Sequence, residues 1–203
     1  MRTRSEAKRQ AILEAAAAVF RESGFERTTM SDIRERAGCS KPTLYSYFGS
    51  KEELFLEVVF KATEAEFRSM HEALAPEVDG ITEALLSFGQ RLLGLLYSPP
   101  VRSVRRLLMS EAGRAQLGPR CYELGPLRSE IEVAAFLQQA MDRGQLRQAD
   151  PRLAARQLKA LLEAEWQTRF LLQVCEGPRP DEISASVARA VSVFMAAYGC
   201  GPN

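Results

Sequence analysis

The sequence is short of the residues that most enzyme and metal sites require. His71 is its only histidine and Trp166 its only tryptophan. The four cysteines, Cys39, Cys121, Cys175 and Cys200, lie far apart and form no Cys-x-x-Cys pair. A zinc site with the usual ligand spacing is therefore not expected. Free buried thiols are the commoner fate of such cysteines, with a redox role left open. Neither H-E-x-x-H nor G-x-S-x-G nor a glycine-rich phosphate loop occurs, so no catalytic residue, cofactor or metal is expected. No apolar run is long enough to span a bilayer, and the basic N-terminus leads into an amphipathic pattern, not a signal-peptide core. No membrane partner is expected, and the cytoplasm is the default location. Sustained period-two alternation is missing throughout, which points to an all-α fold.

Charge of one sign is also scarce. Net charge is only +1 over 203 residues, which alone argues against a nucleic-acid partner. Its distribution argues the other way. Residues 1–50 hold nine Lys/Arg against six acids, a net of +3, whereas the remainder holds 18 against 20, a net of −2. The positive charge belongs to one end of the chain, as phosphate binding requires. A hydrophobic content of 46% and a charged content of 26% are those of a globular protein of one or two domains.

That basic end contains the most informative stretch, TTMSDIRERAGCSKPTLYSYFGSK, from Thr28 to Lys51. Thr29 can cap a short helix, with Asp32 completing a capping box. Met30, Ile33 and Ala37 give it one apolar face. Gly38 stands where the chain must reverse and tolerates a positive φ. Ser40 can cap a second helix with Pro42 in its first turn. Leu44 and Phe48 then pack inward, and Lys41, Thr43, Tyr45, Ser46 and Tyr47 face out or forward. Lys51 begins the next helix. A helix-turn-helix places such a second helix in the DNA major groove, where hydroxyls, rings and cations meet phosphates and base edges. Two capped helices and a glycine turn also occur in proteins that never meet DNA.

The pattern T-T-x-x-D-I…A-G-x-S-x-P-T-L-Y-x-Y-F-x-S-K-E-x-L resembles the DNA-binding signature of the TetR family of transcriptional regulators, over roughly the first quarter of the chain. Carried over position by position, the resemblance implies that Thr29, Ser31, Lys41, Pro42, Thr43, Tyr45, Ser46, Tyr47 and Lys51 face DNA. Ser40, at the head of the second helix, is counted with them. Cys39 departs from the pattern, which usually has an aliphatic residue there; cysteine is a small hydrophobe, so packing need not suffer. The stretch from Arg106 to Pro126 loosely resembles the regulatory domain of the AefR-like repressors.

Ahead of the motif, Ile12, Ala15, Ala16, Val19 and Phe20 form an amphipathic stripe on a first helix from Ser5 to Glu22, ended by Gly24. Arg2, Arg4, Lys8 and Arg9 form a basic lead-in, read as a phosphate contact or as a solvated terminus. A long helix is expected from Lys51 to Leu74, broken by Pro76 to Gly80. Another covers Ile81 to Tyr97 and stops at Pro99-Pro100. Further helices are expected from Val101 to Glu111, in short pieces between Ala112 and Pro126, from Leu127 to Arg143, from Asp150-Pro151 to Cys175, and from Asp181 to Gly199.

The expected fold is an all-α chain with a three-helix helix-turn-helix DNA-binding domain over 1–50. A larger helical ligand-binding and dimerisation domain follows over 51–203. Phe60, Phe67, Met70, Phe88, Leu92, Tyr97, Met109, Tyr122, Phe136, Trp166 and Phe170 are candidate lining residues for a small-molecule pocket, though such residues at helical spacing also serve as plain core. Glu163 and Glu165 would attract a cationic ligand if either faced inward. Leu158, Leu162, Ile183, Val187, Val191, Phe194 and Tyr198 are the candidate dimer contacts, since TetR relatives pair two helices per subunit across a two-fold axis. The expected partners are a double-stranded DNA operator, a small-molecule effector and a second copy of the chain. The expected function is a ligand-released repressor acting on a palindromic operator. The alternative is a helical protein-interaction module without DNA binding.

Overall fold

The computed structural model describes residues 4–74, 80–110 and 117–200. Among these residues it is built from twelve helices, and its one β-type pairing is an isolated antiparallel bridge between Leu146 and Gly199. None of the helices is long and apolar enough to cross a membrane. Arg2, the start of the break expected at Pro76, and the first part of the stretch expected to be in short pieces from Ala112 lie outside the described residues. Packing divides the chain into two compact units, residues 1–62 with 104–121, and residues 63–103 with 122–203.

The first unit opens with α1 (Arg4–Arg27), whose stripe of Ile12, Ala15, Ala16, Val19 and Phe20 is buried throughout. Gly24 interrupts it at φ 75°, a conformation that favours glycine. Thr28, buried just beyond, donates its hydroxyl to the Gly24 carbonyl at 2.7 Å and fixes the bend. Next come α2 (Met30–Arg36), α3 (Lys41–Tyr47) and α4 (Lys51–Ala62). Ile12, Leu13, Ala16, Ile33, Leu44, Phe48 and Leu54 make one core from all four helices. Because α4 packs along α1 and supplies Leu54 to that core, the compact unit runs to Ala62, past residue 50.

In the second unit the chain passes through α5 (Glu64–Glu72) and α6 (Ile81–Leu96), and the first part of α7 (Pro99–Ser110). After α8 (Leu117–Leu124), which straddles the division, come α9 (Pro126–Asp142), α10 (Pro151–Glu163), α11 (Gln167–Leu171) and α12 (Pro180–Tyr198). Pro99 and Pro100 open α7 as well as ending α6, since a first turn has no use for the missing N–H. Asp150 caps α10 by accepting the N–H groups of Arg152 and Leu153 at 2.9 and 3.1 Å. Helix α6 lies against α10 and α12, and Gly89 sets how closely. A β-carbon there would stand 2.7 Å from Leu162 Cδ2 and 2.7 Å from Val187 Cγ1. Arg147 closes the end of α12, donating from its backbone to the Tyr198 carbonyl at 2.9 Å and from Nε to the Ala197 carbonyl at 2.6 Å.

Three expectations are corrected. The helix from Lys51 to Leu74 is two helices. Thr63, at φ −103° and ψ 11°, leaves the helical region, and its carbonyl starts α5 by accepting Phe67 N–H at 2.9 Å. The apolar pattern changes register there, from Leu54, Leu56 and Val59 to Phe67, Met70 and Leu74. The helix expected to reach Cys175 breaks after Glu163. Positions four apart drift by about 40° on a continuous helix, so an unbroken helix would swing Trp166 and Phe170 away from Leu158 and Leu162. The turn at 164–166 keeps both rings buried and leaves Leu171 and Leu172 exposed instead. The candidate dimer contacts Leu158, Leu162, Val187, Val191, Phe194 and Tyr198 are closed off inside the protomer, with Ile183 half-buried. They are the most apolar positions of α10 and α12, and the fold uses them for its own core.

Gly89 and Gly94 on α6 provide a matched test, because Gly94 is exposed with nothing within 4 Å of an added β-carbon. Gly89→Ala is expected to lose about 1–3 kcal/mol from overpacking, and Gly94→Ala to gain up to about 1 kcal/mol from helix propensity. Urea unfolding midpoints check both. Equal midpoints for the two variants would contradict the close approach assigned to Gly89.

Candidate nucleic-acid interface

The motif folds through local hydrogen bonds that its sequence encodes. The Thr29 hydroxyl accepts Asp32 N–H at 3.2 Å, and the Asp32 carboxylate takes Thr29 N–H and Thr29 Oγ1 at 2.8 Å each, a complete capping box. The Thr29 N–H, and then its hydroxyl, hold the Asp32 carboxyl below its ordinary range. Gly38 turns the chain at φ 56°. Ser40 Oγ accepts Thr43 N–H at 3.2 Å and starts α3, with Pro42 in the first turn. Leu44 and Phe48 are fully buried, and their insertion fixes which face of α3 points outward.

That outward face carries the expected residues. Ser31, Lys41, Pro42, Tyr45 and Ser46 are exposed, and Thr43 is half-buried. Thr29 and Ser40 stand at the two caps. The Lys41 ammonium lies 5.9 Å from the centre of the Tyr45 ring, so cation and phenol share one patch. Ser46 donates to the Thr43 carbonyl at 2.7 Å, and the Thr43 hydroxyl meets Ser40 Oγ at 2.8 Å. Two residues differ from the simple outward reading. Tyr47 is half-buried against the core, with its hydroxyl 3.4 Å from Ser5 Oγ. Lys51 turns its ammonium onto the end of α1, donating to the Phe25 carbonyl at 2.9 Å and lying 4.2 Å from the Phe25 ring centre.

Other charges brace this unit, and local sequence patterns do not reveal them. Arg9 lies over the Phe48 ring, 5.0 Å from its centre, and pairs with Glu57 of α4, which also takes Arg120 at 3.1 Å. Arg36 grips Glu22 with both guanidinium nitrogens, at 3.0 and 2.6 Å, which draws the Glu22 carboxyl below its usual range. These partners lie 14 to 63 residues apart in sequence. The Cys121 thiol is pushed up to about 11 by burial, against the pull of Arg105, so it is protonated at neutral pH and a poor nucleophile.

In the second unit, Phe67, Met70, Phe88, Leu92, Tyr97, Trp166 and Phe170 are buried, Phe136 is half-buried, and Tyr122 is exposed at 48%. Tyr122 therefore lines no interior. Met109 and Phe60, both half-buried, belong to the first unit. The His71 side chain is enclosed. Its Nδ1 is 2.8 Å from the Phe67 carbonyl, its Nε2 3.0 Å from Ser129 Oγ, and its ring lies between Phe67 and Phe88. Neither acidic residue beside Trp166 offers an unmatched charge. Glu163 is buried with Lys159 at 2.8 Å, and Glu165 is held by Arg189 through two bonds at 2.8 and 2.7 Å. No group of three or more potential metal ligands occurs among the described residues.

Residues 12–58 match the family model of bacterial regulatory proteins of the tetR family, and residues 83–200 match that of the AefR-like transcriptional repressor C-terminal domain. The chain belongs to the TetR family of transcriptional regulators. Its sequence is 32% identical over 154 residues to the HTH-type transcriptional regulator YfiR of Bacillus subtilis, covering 71% of each chain. A TetR-family transcriptional regulator of Mesorhizobium loti superimposes with a TM-score of 0.80 at 30% identity, covering 98% of this chain and 100% of that one. The flavonoid-responsive regulator FrrA gives a TM-score of 0.71 at 30% identity over 97% of this chain and 99% of its own. This TetR-family chain is accordingly a transcriptional regulator and not an enzyme, and its helix-turn-helix falls within the matched DNA-binding segment.

The capping box yields a pH signature. Because the folded Asp32 carboxyl titrates below its unfolded value, its contribution to stability is full above the ordinary aspartate range and is lost as pH falls through the depressed value. The stability difference between wild type and Asp32→Asn, from denaturant midpoints, is expected to be largest near neutrality and to shrink with acid. A difference independent of pH would contradict the assignment.

Proposed function

We propose that this chain is a cytoplasmic repressor that binds a palindromic operator as a homodimer and is released by a small-molecule effector. The observation that carries the reading is the outward face of α3. Lys41, Thr43, Tyr45 and Ser46 lie on one side of a helix whose other side, Leu44 and then Phe48, is sealed into the core. Thr43, Tyr45 and Lys41 read base edges. Thr29, Ser31, Ser40, Pro42, Ser46 and the upper edge of Tyr47 line the phosphate approach. Lys51 keeps two further N–H donors for a phosphate while it holds Phe25. In this reading residues 1–50 do the reading, and the helices from Lys51 onward sense and transmit.

Dimerisation falls to the outward faces of α10 and α12. Leu153, Gln157, Ala160 and Ala164 are exposed on or just after α10; Ala185, Ala188, Ser192, Val193 and Ala196 are exposed on α12. Small residues at helical spacing allow helices of two subunits to approach closely, and a two-fold axis makes such a face complementary to itself. The effector reading draws on the buried aromatic residues of the second unit, and on FrrA, a relative of similar fold described as flavonoid-responsive. The ligand need only favour the subunit spacing that does not fit DNA.

Selection of bound duplexes from a random pool tests the whole reading. Two inverted half-sites about one helical turn apart are expected. Val193→Glu, at an exposed site, should leave the helical fold intact, give monomers by analytical ultracentrifugation, and weaken operator binding by about two orders of magnitude. Binding of single half-sites by a wild-type monomer would overturn the proposal.

A further inference from the structure

Among the described residues of the second unit, two buried side-chain donors have no hydrogen-bond partner, Arg102 Nε and the Trp166 indole N–H. The Trp166 indole N–H is shielded from solvent and meets no hydrogen-bond acceptor among the described residues. Buried donors are almost always satisfied, so an orphan points to a group that arrives from outside. The Arg169 guanidinium lies 5.4 Å from the centre of the Trp166 ring, and the Trp166 backbone bonds to those of Glu163 and Phe170, whose side chains both meet Tyr97. Trp166 stands in the turn between α10 and α11. Phe170, four residues on and fully buried, meets the Tyr97 ring edge-on with centres 5.7 Å apart. Gly177, at φ 125°, lies so close to the Tyr97 ring that a β-carbon would come within 2.3 Å of it, so this wall is closed by backbone. The Tyr97 hydroxyl is 3.5 Å from the buried Glu163 carboxylate, the outer limit of a hydrogen bond. Lys159, at 2.8 Å, balances the charge of Glu163.

We propose that Tyr97, Glu163, Trp166 and Phe170 form the recognition site for a neutral, flat aromatic molecule carrying both an oxygen acceptor and a hydroxyl. The acceptor oxygen takes the Trp166 N–H. The ligand hydroxyl donates to Glu163 in place of the long Tyr97 bond. The rings of Tyr97 and Phe170 supply the apolar walls. Lys159 excludes a cation, because the carboxylate is already matched. The ligand class rests on the effector reading above, and it assigns that effector a chemistry.

Trp166 is the only tryptophan in the chain, so its fluorescence reports this site alone. The probe is 6-acetyl-2-naphthol, which carries a carbonyl acceptor and a hydroxyl on a flat bicyclic ring; naphthalene is the control without polar groups. Calorimetry on the full-length protein is expected to give micromolar binding of 6-acetyl-2-naphthol. The same titration should change Trp166 emission, and binding should be about tenfold weaker in Trp166→Phe and in Glu163→Gln. Naphthalene should not distinguish the three proteins. Absence of 6-acetyl-2-naphthol binding, or binding indifferent to Trp166→Phe in a variant that keeps wild-type thermal stability, would overturn the site. Anisotropy of labelled operator separates this from the effector reading. Trp166-dependent binding that never releases DNA supports the site and removes the release mechanism. Release that is insensitive to Trp166→Phe keeps the mechanism and removes the site.

Discussion

The reading head depends on the burial of Leu44 and Phe48 against Ile12, Ile33 and Leu54. Helix α3 spans only seven residues, far too few to be stable alone. It exists because its caps satisfy the first N–H groups and because two of its side chains are anchored in a core supplied by three other helices. The same anchoring decides which residues point outward. Rotate α3 by one residue and Tyr45 would go inside, while Phe48 would meet solvent. The Gly38 turn sets the angle at which α3 leaves α2, the Thr29–Asp32 box fixes where α2 begins, and Arg9 lies over Phe48 at the C-terminal end of α3.

A second constraint, of the opposite kind, governs the larger unit. There a missing side chain matters most: Gly89 lets α6 sit against Leu162 of α10 and Val187 of α12. The close three-helix contact draws the large apolar residues of α10 and α12 inward. Exposed on them are alanines, serines, Gln157, Leu153 and Val193, flanked by the charges Arg152, Arg156, Lys159 and Arg189. The buried aromatic residues at the far ends of α6 and α10 are held by packing and, at Glu163, by a matched charge.

The local parts of this structure were legible in the sequence, and the tertiary parts were not. Both caps, the positive φ at Gly38, the proline starts and the α1 stripe follow from neighbours within four residues, and each is present. The breaks at Thr63 and at 164–166 are different. Neither site holds a proline or glycine, and each break exists because the core on either side calls for a different register. Hydrophobicity also misled the choice of subunit contacts. It marks what is buried, and in a helix with two sides to cover the most apolar side serves the protomer first. Lys51 and Tyr47 show the same limit at the reading head: a residue type suited to DNA is also suited to holding Phe25 or filling a gap beside Ser5.

Membership of the TetR family makes this chain a transcriptional regulator; that its α3 face distinguishes one base sequence from another is the central claim. The most direct measurement is the ratio of affinities for a selected operator and a mismatched duplex of equal length, at fixed salt, in wild type and Tyr45→Ala. Tyr45 is 45% exposed, so its removal leaves the core intact. The account predicts that the ratio falls about tenfold or more while the thermal midpoint is unchanged. An equal loss on both duplexes, leaving the ratio as it was, would contradict it.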